Sequence, residues 1–183
     1  MLMKKIKEKK YKFRHTPSGY KKKITEKTFL LPNGETYTSF IDNQEDSVNI
    51  FAITEDEKVI LVKQFRPGTE KIEYEFAGGM IDLGEEPIES AKRELLEETA
   101  HAGKMMYLGN RSYSPYSSGK RHIFAATKCK KVAKNLDLDP NEFLEVIYVD
   151  VPTLEKMLFD CKIRNPDCAY MALHHMGYLK FNM

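Results

Sequence analysis

The chain has 183 residues, of which 42% are hydrophobic and 31% are charged, so it can bury a substantial core and is not a disordered polymer. Its 29 Lys and Arg residues nearly balance its 27 Asp and Glu residues, and the net charge of +2 excludes strong overall attraction to nucleic acid. No apolar run approaches about 18 residues and the basic N-terminus lacks an apolar stretch, so we expect neither a membrane span nor a secretory signal.

The first half of the chain carries short runs of β-forming residues separated by turn signals. Residues 28–31 and 36–40 flank Asn33-Gly34, and this pattern predicts a β-hairpin because both turn residues tolerate positive φ. Three further strands are predicted at residues 48–54, 59–64 and 72–76. We therefore expect an N-terminal β extension over residues 1–45 and a main domain over residues 46–183.

The second half mixes helices and strands. Glu86-Pro87 opens a helix, because proline suits the first helical position, and Ile88, Ala91 and Leu95 form a stripe that we expect to face the core. Later strands are predicted at residues 123–126 and 144–149, and later helices at residues 152–159 and 169–179. The fold class is therefore α/β or α+β, with a mixed sheet between helices.

Charge is distributed unevenly along the chain. Residues 4–27 are strongly basic, which is typical of a solvated strand or tail. Residues 82–98 are strongly acidic. A basic end and an acidic middle also suit a phosphorylated ligand that is bound through a metal ion.

The acidic segment places three glutamates on one helix face. Glu94, Glu97 and Glu98 stand at positions i, i+3 and i+4, where like charges repel by roughly 0.2–0.5 kcal/mol per pair. A divalent cation would turn this repulsion into attraction, since Mg²⁺ prefers carboxylate and water oxygens. Arg93 could orient one carboxylate through a bidentate contact. An ordinary exposed, charged helix face is the alternative.

The spacing of these residues resembles the Nudix box. Gly79, five residues, Glu85 and seven more residues precede Arg93-Glu94-Leu95-x-Glu97-Glu98, which matches G-x5-E-x7-R-E-U-x-E-E-x-G-U at every charged position. The resemblance implies the Nudix fold. Ala100 and His101 replace the late glycine and the apolar residue that follows it. Because a left-handed alanine costs on the order of 1 kcal/mol, we expect the helix end to shift toward Gly103.

Further segments resemble the ADP-ribose pyrophosphatases of this superfamily. They are Gln64-Phe65-Arg66, Glu75-Phe76-Ala77-Gly78-Gly79, the loop Ser114-Pro115-Tyr116-Ser117-Ser118, and Asp139-Pro140-Asn141-Glu142. The resemblance implies Mg²⁺- or Mn²⁺-dependent hydrolysis of a nucleotide sugar, with ADP-ribose yielding AMP and ribose 5-phosphate. It also implies a homodimer formed through residues 1–45, which would also contribute to base binding.

The resemblance also implies roles for individual residues. The metal ligands would be Glu94, Glu97, Glu98 and the Gly78 carbonyl. The catalytic residues would be Glu97, Glu98, Arg93 and Glu142, with Glu142 as the general base and Glu145 as the next candidate. Substrate would contact Arg66, Glu75, Pro115 and Tyr116, while Gly79 and Glu85 would support the loop.

Other interpretations remain open. The substrate could be GDP-mannose, another nucleoside diphosphate sugar or a damaged nucleotide, and RNA decapping is a weaker option. A non-catalytic ADP-ribose-binding module is a different class, although its members usually lose box glutamates that this chain retains. Finally, Cys129, Cys161 and Cys168 form no Cys-x-x-Cys pair, which favours reduced thiols and a cytoplasmic location.

Overall fold

The computed structural model describes residues 3–12, 23–140 and 142–179. Within these residues it contains nine strands and three helices. The strands are β1 (Lys4–Lys12), β2 (Lys23–Leu30), β3 (Thr36–Asp42), β4 (Ser47–Thr54), β5 (Lys58–Arg66), β6 (Lys71–Glu75), β7 (His101–Ser112), β8 (Lys120–Lys131) and β9 (Leu144–Asp150). The helices are α1 (Pro87–Thr99), α2 (Val151–Phe159) and α3 (Pro166–His175). None of these helices has the length and apolar character needed to cross a membrane.

The first of two compact units comprises the described residues within Met1–Asp46 and Arg111–Arg121. Its strands form an antiparallel sheet in the order β1-β2-β3. The predicted hairpin is confirmed as β2 and β3, and Gly34 closes its turn at φ 86° by donating to the Leu31 carbonyl at 3.0 Å. The basic segment that precedes the hairpin supplies β1, so the extension is a three-stranded sheet.

The second unit comprises the described residues of Ser47–Asn110 and His122–Met183. Its sheet runs in the order β6-β5-β4-β8-β7, and β9 pairs antiparallel with β5. Strand β5 pairs with three strands, since residues 58–64 pair with β9, Val59 and Ile60 also pair with β4, and residues 62–66 also pair with β6.

Helices cover both faces of this sheet. Ile50 and Ala52 of β4 pack toward α1, whereas Phe51 and Ile53 pack toward α2 and α3, as the two-residue period of a strand requires. The helix residues buried against them are Ala91 and Leu95 on one face, and Leu154, Cys168, Ala169, Ala172 and Leu173 on the other. Residues 50–53 of β4 are all apolar and buried, which is typical of a strand that is covered on both faces.

Some sequence-based expectations about the helices and strands are wrong. Ile88 does not face the core, since its side chain is 40% exposed and the buried positions of α1 begin only at Ser90. The last helix starts earlier than predicted, at Pro166, and ends after His175 because Gly177 turns the chain at φ 80°. Strand β7 was not predicted, because its mixed sequence lacks a clear two-residue apolar alternation.

The expected shift of the α1 end toward Gly103 is also wrong. Ala100 itself adopts the left-handed conformation, with φ 59° and ψ 25°, and its N–H donates to the Leu96 carbonyl at 2.8 Å. The Ala100 carbonyl accepts the Val132 N–H at 2.9 Å. Burial and this bond offset the backbone strain. Gly103 has another role in β7, where a Cβ atom would lie 2.8 Å from the Thr127 carbonyl oxygen.

Candidate active site

The glycine loop before α1 is held against strand β4. The N–H groups of Val48 and Ile50 donate to the carbonyls of Gly79 and Ala77, at 2.9 and 2.8 Å. Gly78 lies between these two bonds, and a Cβ atom there would overlap the Val48 carbonyl oxygen. Only glycine allows this close approach, so the backbone of the loop is fixed by the sheet.

Helix α1 brings a buried carboxyl group to this loop. Glu98 is 4% exposed, and its Oε2 accepts the Gly78 N–H at 2.9 Å. Burial raises the pKa of Glu98 to about 8, and the nearby charges of Glu94 and Glu142 act in the same direction. An ionised Glu98 is therefore costly unless a cation lies close to it.

A second carboxyl group, that of Glu94, lies against the same loop. A Cβ atom on Gly79 would lie only 2.6 Å from the Glu94 carboxyl carbon, so the glycine makes room for this side chain. Burial raises the pKa of Glu94 to about 7, although Arg93 opposes that shift. Two carboxyl groups one helical turn apart thus share a poorly solvated environment.

Arg93 ties the acidic residues together. Its Nε and Nη2 donate to the two carboxylate oxygens of Glu85 at 3.1 and 3.0 Å, while Nη1 donates to Glu94 at 2.8 Å and to Glu97 at 2.9 Å. The guanidinium also reaches the Met80 carbonyl at 3.2 Å, which links the helix to the loop. These contacts lower the pKa of Glu85 and fix the carboxylates by a fork that lysine could not supply.

A second arginine lies in the field of these acids. Arg66, at the end of β5, donates from Nε and Nη2 to both oxygens of Glu75, at 2.5 and 2.7 Å. Glu75 raises the pKa of Arg66, and the charges of Glu98 and Glu142 contribute to the shift. Glu142 follows a turn in which its N–H donates to the Asp139 carbonyl at 2.9 Å. Arg66 and Glu142 therefore lie close enough to interact electrostatically with the box glutamates.

The donor set fits a hard divalent cation in chemical terms. Glu94 and Glu98 are poorly hydrated carboxyl groups whose ionisation a bound cation would favour. Within the described chain, no three His, Cys, Asp or Glu side chains are already arranged to hold an ion. Arg93 accounts for this, since it draws Glu94 and Glu97 onto its own guanidinium.

The second unit brings together most of the residues that the sequence singled out. They are Arg66, Glu75, Gly78, Gly79, Glu85, Arg93, Glu94, Glu97, Glu98 and Glu142. Glu145 instead forms an ion pair with Lys63 at 2.9 Å across β5 and β9. Pro115 and Tyr116 belong to the first unit, where Tyr116 hydrogen-bonds to Tyr37 and thereby lowers the Tyr37 pKa.

The sequence did not point to two polar residues near this group. Asn49 is 6% exposed beside Gly78, and its polar side chain inside an apolar strand was a signal that could have been used. Arg164 donates to Glu73 at 2.6 Å and lies 3.9 Å from Glu75. No local signal marks Arg164, because only the fold brings residue 164 beside β6.

Comparisons with known proteins identify the family of this chain. The family model of the NUDIX domain matches residues 43–165. The chain is 32% identical over 142 residues to an ADP-ribose pyrophosphatase of Bacillus subtilis (strain 168), covering 76% of this chain and 77% of that protein. It is 31% identical over 162 residues to a methanol dehydrogenase activator of Bacillus methanolicus, covering 85% and 88%.

A solved structure shows the same fold. The crystal structure of an ADP compounds hydrolase superposes with a TM-score of 0.80 at 23% identity, and the alignment covers 98% of each chain. The predicted architecture, a sheet between helices with an N-terminal β extension, is therefore confirmed.

Proposed function

The chain belongs to the Nudix family and is a metal-dependent pyrophosphohydrolase, and from that premise we propose that it hydrolyses ADP-ribose to AMP and ribose 5-phosphate. One observation carries the proposal: the buried Glu98 carboxyl, held by the Gly78 N–H, lies in the field of Arg66, which suits a diphosphate bridged by a cation. The similarity to an ADP-ribose pyrophosphatase over three quarters of the chain supports the choice of substrate.

Glu98, Glu94 and Glu97 would hold the metal ion, together with the Gly78 carbonyl. The chemistry that a bound Mg²⁺ or Mn²⁺ ion supplies is neutralisation of phosphate oxygens and activation of the attacking water. Ionised Glu98 and Glu94 provide the hard oxygen donors, and the β4 contacts keep the loop carbonyl in place. Arg93 donates to Glu85, Glu94 and Glu97 and would keep their carboxylates fixed relative to the loop.

Glu142 would serve as the general base. In this role its carboxylate takes a proton from the attacking water, water adds to one phosphorus, and the bridging P–O bond breaks. The electrostatic influence of Glu142 on Glu94 and Glu98 supports this assignment. Glu145 is a weaker candidate because Lys63 engages its carboxylate.

Arg66 would bind a phosphate or the terminal ribose of the substrate. Glu75 occupies two nitrogens of its guanidinium and leaves Nη1 as the nitrogen that Glu75 does not engage. A planar guanidinium fixed in this way suits an anionic oxygen. Pro115 and the exposed Tyr116 would contribute to nucleotide binding, with the phenol ring available for stacking.

We also propose a homodimer formed through residues 1–45 and a cytoplasmic location. Exposed apolar side chains on the three-stranded sheet support the first, among them Ile6 at 51% and Phe40 at 60% exposure. All three cysteines are free, which suits a reducing compartment. Sedimentation of the whole chain should give twice the monomer mass, and a monomer at micromolar concentration would contradict the dimer.

A substrate panel tests the proposed function. ADP-ribose, ADP-glucose, NADH, GDP-mannose and an oxidised nucleoside triphosphate are compared by kcat/KM with Mg²⁺, Mn²⁺ or EDTA. We expect the highest value with ADP-ribose, equimolar AMP and ribose 5-phosphate, and no turnover in EDTA. A higher value for GDP-mannose or the damaged nucleotide would replace the substrate assignment. Tight ADP-ribose binding without cleavage would instead indicate a binding module.

A further inference from the structure

A row of alternating charges runs beside strand β6, formed by Arg66, Glu75, Arg164 and Glu73 in that order. Glu73 and Glu75 project from the same face because they are two residues apart. Arg66 approaches Glu75 from the neighbouring strand β5. Arg164 approaches β6 from a different segment of the chain, and its backbone N–H donates to the Tyr74 carbonyl at 3.0 Å. Glu75 therefore lies between the two arginines, and Glu73 contacts Arg164 alone of the two.

Glu75 is the acid of this row that is buried and makes contact with both arginines. The Glu75 side chain is 5% exposed, and Arg66 engages both of its oxygens. The Nε atom of Arg164 lies 3.9 Å from Glu75 Oε2. Arg164 is anchored in turn, because its Nη1 donates to Glu73 at 2.6 Å and Thr69 donates to the same glutamate at 2.5 Å.

From this arrangement we propose that Arg164 is a positioning residue for substrate binding, which acts through Glu75 to orient the Arg66 guanidinium toward the diphosphate. The inference rests on the proposed function in that Arg66 must contact the substrate. Glu75 can hold Arg66 rigidly only if it is itself held, and Arg164 supplies that second contact from a loop that no sequence motif marks. Arg164 does not itself contact the reacting atoms in this proposal.

The proposal differs from a merely structural role in a measurable way. An ordinary partly exposed ion pair contributes little, and its removal leaves KM and kcat unchanged. A positioning residue that acts through Arg66 should instead raise KM with little change in kcat, since it affects binding rather than the chemical step. Its effect should also vanish once Arg66 has been removed, because the two residues form one pathway.

A double-mutant cycle tests this. The proteins are wild type, Arg66→Ala, Arg164→Ala and the double variant, with Arg164→Lys as the conservative change. Lys156→Ala is the matched control, since it breaks an exposed ion pair with Asp160 on α2. Steady-state kinetics use whichever panel substrate the wild type cleaves best, so the cycle remains decisive even if ADP-ribose is not that substrate. Melting curves confirm that each variant is folded. If Arg164→Ala does not fold, Glu73→Gln takes its place in the cycle, because it removes the charge that anchors Arg164.

We expect Arg66→Ala to raise KM by about 10–100-fold and Arg164→Ala by about 3–10-fold, with kcat within about twofold of wild type. Arg164→Lys should fall between wild type and Arg164→Ala, and the double variant should match Arg66→Ala. Lys156→Ala should leave both constants unchanged. An unchanged KM in Arg164→Ala, or a double variant whose KM rises by the product of the two single effects, would overturn the proposal.

Discussion

Two glutamates of the same chemistry meet opposite environments in this protein. Glu8 lies on the exposed β1 strand, where a hydrogen bond from Lys5 at 2.6 Å lowers its pKa. Glu98 lies on α1, where burial raises its pKa to about 8 even though Gly78 donates a hydrogen bond to it. Both belong to charged stretches of the sequence, Glu8 to the basic one and Glu98 to the acidic one. The difference shows that burial decides whether an acid is a solvated surface group or a poorly hydrated group with a raised pKa.

The sharpest test of this contrast is to neutralise Glu98. We expect Glu98→Gln to lower kcat by about 10²–10³-fold, because it removes a charge that must stabilise the reacting diphosphate through the metal ion. The matched control is Glu89→Gln on the same helix, where the glutamate is exposed and pairs with Lys92. Initial rates of AMP release with Mg²⁺ decide the matter. Equal rates for Glu98→Gln and wild type would remove Glu98 from the site.

Replacing the arginine that organises the acids should have a smaller effect. Arg93→Lys keeps the charge but cannot hold Glu85, Glu94 and Glu97 at the same time. We expect the Mg²⁺ concentration needed for half-maximal activity to rise by about 10–100-fold, as when a partner of a metal ligand is lost. A titration of activity against Mg²⁺ measures this. A curve that coincides with the wild-type curve would mean that Arg93 does not position the ligands.

The raised pKa of Glu98 predicts how metal-free stability depends on pH. Between about pH 4.5 and 8 the folded protein binds more protons at this carboxyl than the unfolded chain does, so stability falls as pH rises through that window. In EDTA, the wild-type melting temperature should fall relative to that of Glu98→Gln between pH 5.5 and 8.5. The expected relative loss is on the order of 5 °C.

Differential scanning fluorimetry measures this difference directly. Addition of Mg²⁺ at pH 8.5 should restore the wild type and not the variant, since an ion that binds only the folded state stabilises it. Parallel curves for the two proteins in EDTA would contradict the burial argument. The melting temperatures of Glu8→Gln and wild type should keep a constant difference over the same pH range, because Glu8 is solvated.

The smallest effect should come from the exposed pair on β1. Lys5→Ala removes the contact with Glu8, and we expect the melting temperature to move by less than about 2 °C because both side chains are solvated. Repeating the measurement in 0.5 M salt should remove even this difference. A large, salt-resistant loss would show that the Lys5–Glu8 pair stabilises the protein although both side chains are exposed.

The box spacing was sufficient to locate the acidic face of α1, because a helix fixes which residues share a face. Glu94, Glu97 and Glu98 lie on the helix α1 where the i, i+3, i+4 spacing placed them. Arg93 reaches Glu94 and Glu97 through Nη1, and its two-nitrogen contact is with Glu85. Local rules failed where a partner distant in the chain decides the outcome. Ala100 keeps its strained left-handed conformation because Val132, more than thirty positions later, captures its carbonyl.

The sequence alone determined which residue types lie on one helix and which glycines precede it, since spacing and backbone freedom are local properties. Only the tertiary structure decided that Glu98 is buried on the Gly78 amide and that Arg66, Glu75 and Arg164 lie side by side. Burial and the pairing of distant segments depend on how the whole chain folds. For that reason the buried acid of α1 and the row of charges beside β6 became visible only in three dimensions.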